Sequence, residues 1–232
     1  MSTFLQLTQD AVRESRTVSG TRPTTVVSQT GRLLRFVEWT AQAWVDIQNR
    51  HKSWRWMQAT YSGATTAGTK KYLAASFGIS DFRDWLRDDS ENGYRPHASY
   101  LTATGVSDEG ALIEITWQDY RQRYDRGAQT NNPPIHYAIS PTMQFCINPP
   151  DDTYTIVGEY RKSATVLASD SDTPEMPADF HQLICWGAVV YSAESDEAHD
   201  KKIYAQMRYD KMMGELERDQ LPKIIIGSEP VA

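Results

Sequence analysis

Hydrophobic positions recur at helical spacing towards both ends of the chain, and alternate with polar ones in between. Residues 3–16 carry Phe4, Leu5, Leu7, Ala11 and Val12 at intervals that predict a short helix. TVSGTRPTTVVSQTG follows, a loop rich in Gly, Ser, Thr and Pro. RLLRFVEWTAQAWVDIQNRH is the clearest helix of the first half. Leu33, Val37, Ala41, Trp44 and Gln48 form one stripe, and Phe36, Thr40, Ala43 and Ile47 lie alongside it. An apolar surface that broad suits a helix contacted from two sides.

From Trp54 the texture changes. WRWMQATYSGAT alternates large and small residues, and AGTKKYLAA follows a turn at Gly68, so the two together predict a β-hairpin. YRPHASYLTATG is a further strand. TWQDYRQRYDRG returns to helical spacing with Trp117, Tyr120 and Tyr124, and closes at Gly127. PIHYAIS, TMQFCIN and TYTIVGEYRKS are strand-like and are separated by short turns at SPT and NPPDD, which predicts an antiparallel meander.

The final third is helical again. Pro177 suits a first helical turn. Phe180, Leu183, Ile184, Gly187, Ala188 and Tyr191 then recur at the helical period. After a polar break at SAESDEA, a second helix carries Tyr209, Met212, Met213 and Leu216 on one face. No internal repeat is visible. The expected fold is α+β: a helical body from residues 1–52 and 177–221, an inserted antiparallel β-rich region over 53–176, and an extended tail at 222–232.

Composition narrows the function classes. A chain of 232 residues with 40% hydrophobic and 23% charged residues is globular and long enough to bury a core. No apolar run reaches the length of a membrane span, and the N-terminus lacks a basic start followed by an apolar block. Two cysteines, Cys146 and Cys185, in unrelated patterns fit synthesis in a reducing compartment. A net charge of −6 with no basic run argues against tight nucleic-acid binding. Seven Trp and twelve Tyr point to packing layers or interfaces.

The candidates for chemistry are few. His181 and Cys185 lie one helical turn apart, as two metal ligands on a helix would. No Cys-x-x-Cys or second His pair completes a zinc site, and Ile184 and Trp186 beside Cys185 raise a thiol pKa rather than lower it. The packing reading is therefore preferred. DSD at 170–172 lacks the rest of a calcium loop and reads as a solvated loop. Asp151 and Asp152 sit in a Pro-led turn, where Asp is favoured for backbone reasons. Phosphate loops, nucleophile elbows and zincin motifs are missing. The chain is expected to have no catalytic residue, cofactor or metal. Trp54 and Trp56 share one face of the expected strand and enter as partner-binding candidates.

The order of features resembles the head-to-tail adaptor (connector) proteins of tailed bacteriophages. LLRFVEWTAQAWVDIQNRHKSWRWM is similar to that family's helix-to-strand signature. VGEYRKSATVLASDSDTPEMPADFHQLICWGAVVY is similar to its second, where a strand ends in Tyr, a loop carries Asp-x-Pro-x-hydrophobic-Pro, and a helix begins at Phe-His. RYDKMMGELERDQLP matches the terminal helix, and residues 63–133 are the least distinctive. The resemblance implies a virion neck protein made in the host cytoplasm. It implies a homo-oligomeric ring, a dodecamer of about twelve copies, beneath the portal protein. Tail or nozzle proteins would dock to it, and DNA would pass through its lumen during packaging and ejection without specific binding. A stopper or tail-completion protein is the nearest alternative, and a cell-wall hydrolase a more distant one.

The last stretch, QLPKIIIGSEPVA, sharpens the expectation of partners. The final helix should stop near Leu221, because Pro222 disfavours helical geometry in the residue before it. Ile224, Ile225 and Ile226 are strongly β-prone, and no partner strand follows them in the sequence. They are expected to add a strand to a neighbouring protein, the portal foremost. The competing expectation is that the tail folds back onto its own sheet.

Overall fold

In a computed structural model, residues 1–17, 22–89 and 93–222 are described. They divide into two compact units: residues 1–56 with 164–222, and residues 57–163. The first is helical and the second is built of strands, an α+β fold as expected.

The helical unit holds α1 (Phe4–Ser15), α2 (Gly31–Arg50), α4 (Gln182–Ser195) and α5 (His199–Gln220). A capping box opens α1: the Thr3 side chain accepts from the Gln6 amide, and the Gln6 side chain accepts from the Thr3 amide. The helix buries Phe4, Leu7, Ala11 and Val12. On α2 the stripe of Phe36, Thr40, Ala43 and Ile47 is buried together with Trp44 and Gln48, whereas Leu33, Val37 and Ala41 are only half-buried. Helix α4 is the centre of the unit and packs against α1, α2 and α5. Contact from several sides explains why it is apolar nearly all round, with Leu183, Ile184, Cys185, Ala188 and Val189 buried. Gly187 lets it lie close to its neighbours, since a Cβ there would stand 2.9 Å from the Cβ of Ala43 and 3.3 Å from the Tyr209 ring. Helix α5 ends as the proline rule predicts: Leu221 leaves the helix with φ −88° and ψ 151°.

Residues 164–176 group with this helical unit. Backbone amides of Phe4 and Leu5 donate to the carbonyls of Asp172 and Asp170 at 2.7 and 3.3 Å. Gln48 holds Thr165 from both ends of its amide, with Nε2 on the Thr165 carbonyl at 2.9 Å and Oε1 accepting the Thr165 amide at 2.9 Å.

The strand unit contains β1 (Gln58–Ala64), β2 (Lys71–Tyr72), β3 (Phe82–Trp85), β4 (His97–Leu101), β5 (Gly110–Ala111), β6 (Ile113–Glu114), α3 (Trp117–Tyr124), β7 (His136–Ile139), β8 (Phe145–Ile147) and β9 (Tyr154–Lys162). One sheet runs β1-β9-β4-β5 with β3 also on β9, and the other runs β2-β8-β7-β6. The expected hairpin between β1 and β2 does not form. Strand β1 pairs antiparallel along its whole length with β9, and β2 pairs with β8 in the other sheet. Gly68, with φ 75°, does make the expected turn, but the turn carries the chain from one sheet to the other. The expected three-strand meander is also cut short. Strands β7 and β8 form a hairpin around Pro141 and Thr142, whereas β9 crosses to become the strand that three others share.

The core between the sheets is aromatic: Tyr61, Tyr72, Phe77, Trp85, Tyr137, Phe145 and Tyr160 cluster with Ile139, Ile147 and Ile156. Tyr137 and Phe145 stack at 5.2 Å with planes 8° apart, and the Trp85 indole donates to the Met143 carbonyl at 2.8 Å. Two glycines make room for these rings. A Cβ on Gly63 would stand 2.3 Å from the Phe77 ring, and one on Gly158 would stand 2.1 Å from the imidazole of His97.

Candidate interaction surfaces

The residues singled out for chemistry are spent on structure. His181 is buried, and both its ring nitrogens are engaged: the Ser2 amide donates to Nδ1 at 3.1 Å, and Nε2 faces the Met176 carbonyl at 3.1 Å. An amide donor on one side and a carbonyl on the other fix a single neutral tautomer, with the proton on Nε2. Burial lowers the His181 pKa further. Cys185 lies in a separate apolar cluster with Ala11, Val12, Phe36, Ala188, Val189 and Ala205. Its thiol pKa is pushed strongly up, first by burial and then by the nearby charges of Asp10 and Glu14. That is the opposite of what a nucleophile needs. Cys185→Ser is expected to lower stability by roughly 1–2 kcal/mol through an added buried hydroxyl, and elemental analysis of the purified wild type should find no stoichiometric zinc or iron. Metal that is lost with His181→Ala would sink the packing role.

The acidic loops are likewise tethers. Asp172 accepts the amides of Ala168 and Ser169, both at 2.8 Å, which lowers its pKa. Asp170 accepts the Val26 amide at 2.5 Å. Asp151 takes the Tyr154 hydroxyl, and Asp152 the Thr153 amide. Among the described residues, no group of three His, Cys, Asp or Glu side chains is placed to hold a metal ion. Nor is any described helix long and apolar enough to cross a membrane.

In the strand unit, two carboxylates converge where β3 runs on towards β6. Asp88 accepts the Glu114 amide at 3.0 Å, Glu114 accepts the Asp88 amide at 2.9 Å, and the Tyr137 hydroxyl lies within 2.8 and 3.1 Å of the two acids. Arg87 pairs with Glu114 at 2.6 Å. Backbone amides, a phenol and a guanidinium satisfy these acids, so the cluster works as a clasp between the two sheets.

Of the partner-binding candidates, Ile224, Ile225 and Ile226 lie outside the described residues. Trp54 and Trp56 are not on a strand; they flank the start of a short 3₁₀ turn at Arg55–Met57, ahead of β1. Trp54 is fully buried, with its indole donating to the Ile47 carbonyl at 2.9 Å and its ring edge-on to His51. Trp56 stacks on it at 4.4 Å and is half-buried. The pair anchors the end of α2, so of the two only Trp56 keeps a face for a partner.

Two surfaces escape a reading of the sequence alone. Helix α5 exposes Ile203, Tyr204 and Met207 (68%, 47% and 61% accessible), with Trp186 edge-on to Tyr204 and the Arg208 guanidinium 5.3 Å above its ring. These residues form a second apolar stripe, turned away from the one that buries Met213 and Leu216. Its spacing is visible in the sequence, but nothing there says which stripe packs inward. The other surface is the free long edge of β1.

Residues 2–225 match the family model described as SU10 adaptor protein. No curated protein matches the chain.

Proposed function

Since the chain belongs to the SU10 adaptor protein family, which groups it with phage adaptor proteins, we propose that it is a structural protein of the virion neck, a head-to-tail adaptor rather than an enzyme. In this reading its copies form a closed ring of about twelve beneath the portal, offer a docking surface to tail or nozzle proteins, and let DNA pass. The match from residue 2 to residue 225, spanning both units, carries the proposal. The exposed stripe on α5 supports it, because a closed ring reuses one heterologous contact and needs an apolar surface to do so. A net charge of −6 agrees with a lumen along which DNA slides. The tail from Pro222 onward, with Ile224, Ile225 and Ile226, acts as an arm that adds a strand to a neighbouring protein, and Trp56 lies on the partner-facing surface.

The test is direct. The protein mixed with its portal and imaged by cryo-microscopy should show a closed ring of adaptor density under the portal. One or two copies per portal would overturn the ring. A ring that binds the distal face of a different neck protein and ignores the portal would favour a stopper.

A further inference from the structure

Strand β1 is an unguarded sheet edge. The Thr65 amide donates to the Tyr154 carbonyl at 2.7 Å, which makes that pair a bonded one in the β1–β9 ladder. Stepping by two through the register, Gly63 with Ile156, Tyr61 with Gly158 and Ala59 with Tyr160 are bonded pairs as well. The N–H and C=O groups of Gln58, Thr60, Ser62 and Ala64 therefore point away from β9. Among the described residues, no backbone or side-chain group bonds to them.

Natural sheets blunt such edges with charge, proline, a bulge or very short strands. Strands β2, β5 and β6 have two residues each, and β3 carries Arg83, Asp84 and a register shift. Strand β1 uses none of these devices: QATYSGA runs seven residues without charge, proline or bulge. Its alternate side chains Thr60, Ser62 and Ala64 are small and exposed, while Tyr61 and Gly63 face the aromatic core.

The sequence supplies a strand of the right length. Pro222 and Pro230 bracket Lys223–Glu229, a stretch in which every residue has an N–H to donate. Seven residues of tail thus face seven residues of β1. The segment KIIIGSE holds its charges at its two ends, and its three isoleucines favour strand geometry. Leu221 already has an extended backbone where the chain leaves α5.

We infer that the open edge of β1 is the acceptor for residues 223–229 of a second copy of this chain, so that each subunit gives its tail to the next and receives one in turn. The inference rests on the ring reading above and names the neighbour that the tail joins. Strand addition of this kind draws affinity from main-chain hydrogen bonds, and takes its specificity from alternate side chains. A donor at one place and an acceptor at another make the contact heterologous, the type that closes into rings.

Complementation tests it. Ser62→Pro removes an outward N–H without touching a bond to β9, and Thr60→Pro does the same two residues away. Deleting residues 223–232 removes the donor. Each variant should keep the wild-type circular dichroism spectrum. By mass photometry, alone or with portal added, each should lose the ring and fall to monomer mass. Mixing a proline variant with the deletion should restore one junction only, giving a 1:1 dimer that cannot close. Wild type that assembles while the variants assemble equally well would overturn the junction and leave the adaptor reading standing, as it would if the tail reached the portal instead. Monomeric variants whose mixture stays monomeric would also overturn it, and would indicate a tail folded onto its own sheet. Wild type that stays monomeric alone and on portal would overturn both readings.

Discussion

Gly158→Ala should cost the strand unit roughly 3 kcal/mol, at the upper end of what overpacking a core does. The new methyl would stand 2.1 Å from the Nδ1 of His97, 2.9 Å from the Pro96 carbonyl and 3.0 Å from the Tyr61 ring. Neither side can give way cheaply. Gly158 is flanked in register by Tyr61 on β1 and His97 on β4, so moving β9 disturbs both ladders. His97 is fully buried, with Nδ1 3.1 Å from the Tyr61 hydroxyl and Nε2 2.9 Å from the Leu86 carbonyl; rotating the ring would break both contacts. Gly214→Ala is the matched control. A Cβ there meets nothing within 4 Å, and the position is inside α5, so alanine should gain up to about 1 kcal/mol. Urea unfolding of the two variants beside wild type should move the midpoint in opposite directions. A Gly158→Ala midpoint within error of wild type would show that the close approach is relieved at little cost.

Acid should destabilise the same unit as pH falls below about 6.5. Burial drives the His97 pKa down to about 4, while its bonded Leu86 carbonyl and the charge of Asp88 push back more weakly. Folded, His97 is neutral across the range in which the unfolded chain takes up a proton near pH 6.5. Its contribution is thus complete above pH 6.5 and is lost as pH falls from there to about 4. A displacement of roughly 2.5 units corresponds to roughly 3 kcal/mol. Burial also lowers His136 in the same unit, which acts in the same direction. Unfolding free energies at pH 7, 5.5 and 4.5 should fall steadily, and His97→Gln should flatten much of the slope. Equal stability at pH 7 and 4.5 would mean that His97 is protonated without cost.

Much of the helical unit was legible in the residues. Phe36, Thr40, Ala43 and Ile47 repeat at helical spacing and are buried as a row, and Pro222 stops α5 where the rule places it. Helical periodicity is local, so the sequence around each residue carries it. Strand pairing is not local. TYTIVGEYRKS reads as the third strand of a meander because its neighbours in sequence are strands. Its partners are Gln58–Ala64, Phe82–Trp85 and His97–Leu101, and nothing in the local pattern specifies them. Trp54 and Trp56 mislead for a related reason: spacing of two residues imitates a strand, but here a tight turn stacks the rings on each other. The free edge of β1 is a property of what does not pair with it, and no residue of QATYSGA announces that.

The division of the chain also sets an order of events during synthesis. The strand unit is whole once residue 163 has left the ribosome, whereas α1 and α2 wait for α4 and α5 to be made. Between α2 and α4 lie somewhat more than 100 residues, which at about 5–20 residues per second amounts to on the order of 10 s. For that interval Phe36, which packs with Cys185, Ala188 and Val189 in the finished fold, has no central helix to bury it. The newborn chain is thus most exposed to chaperones and proteases through its first helices, and a stalled or truncated product would carry a finished strand unit beside an unfinished helical one.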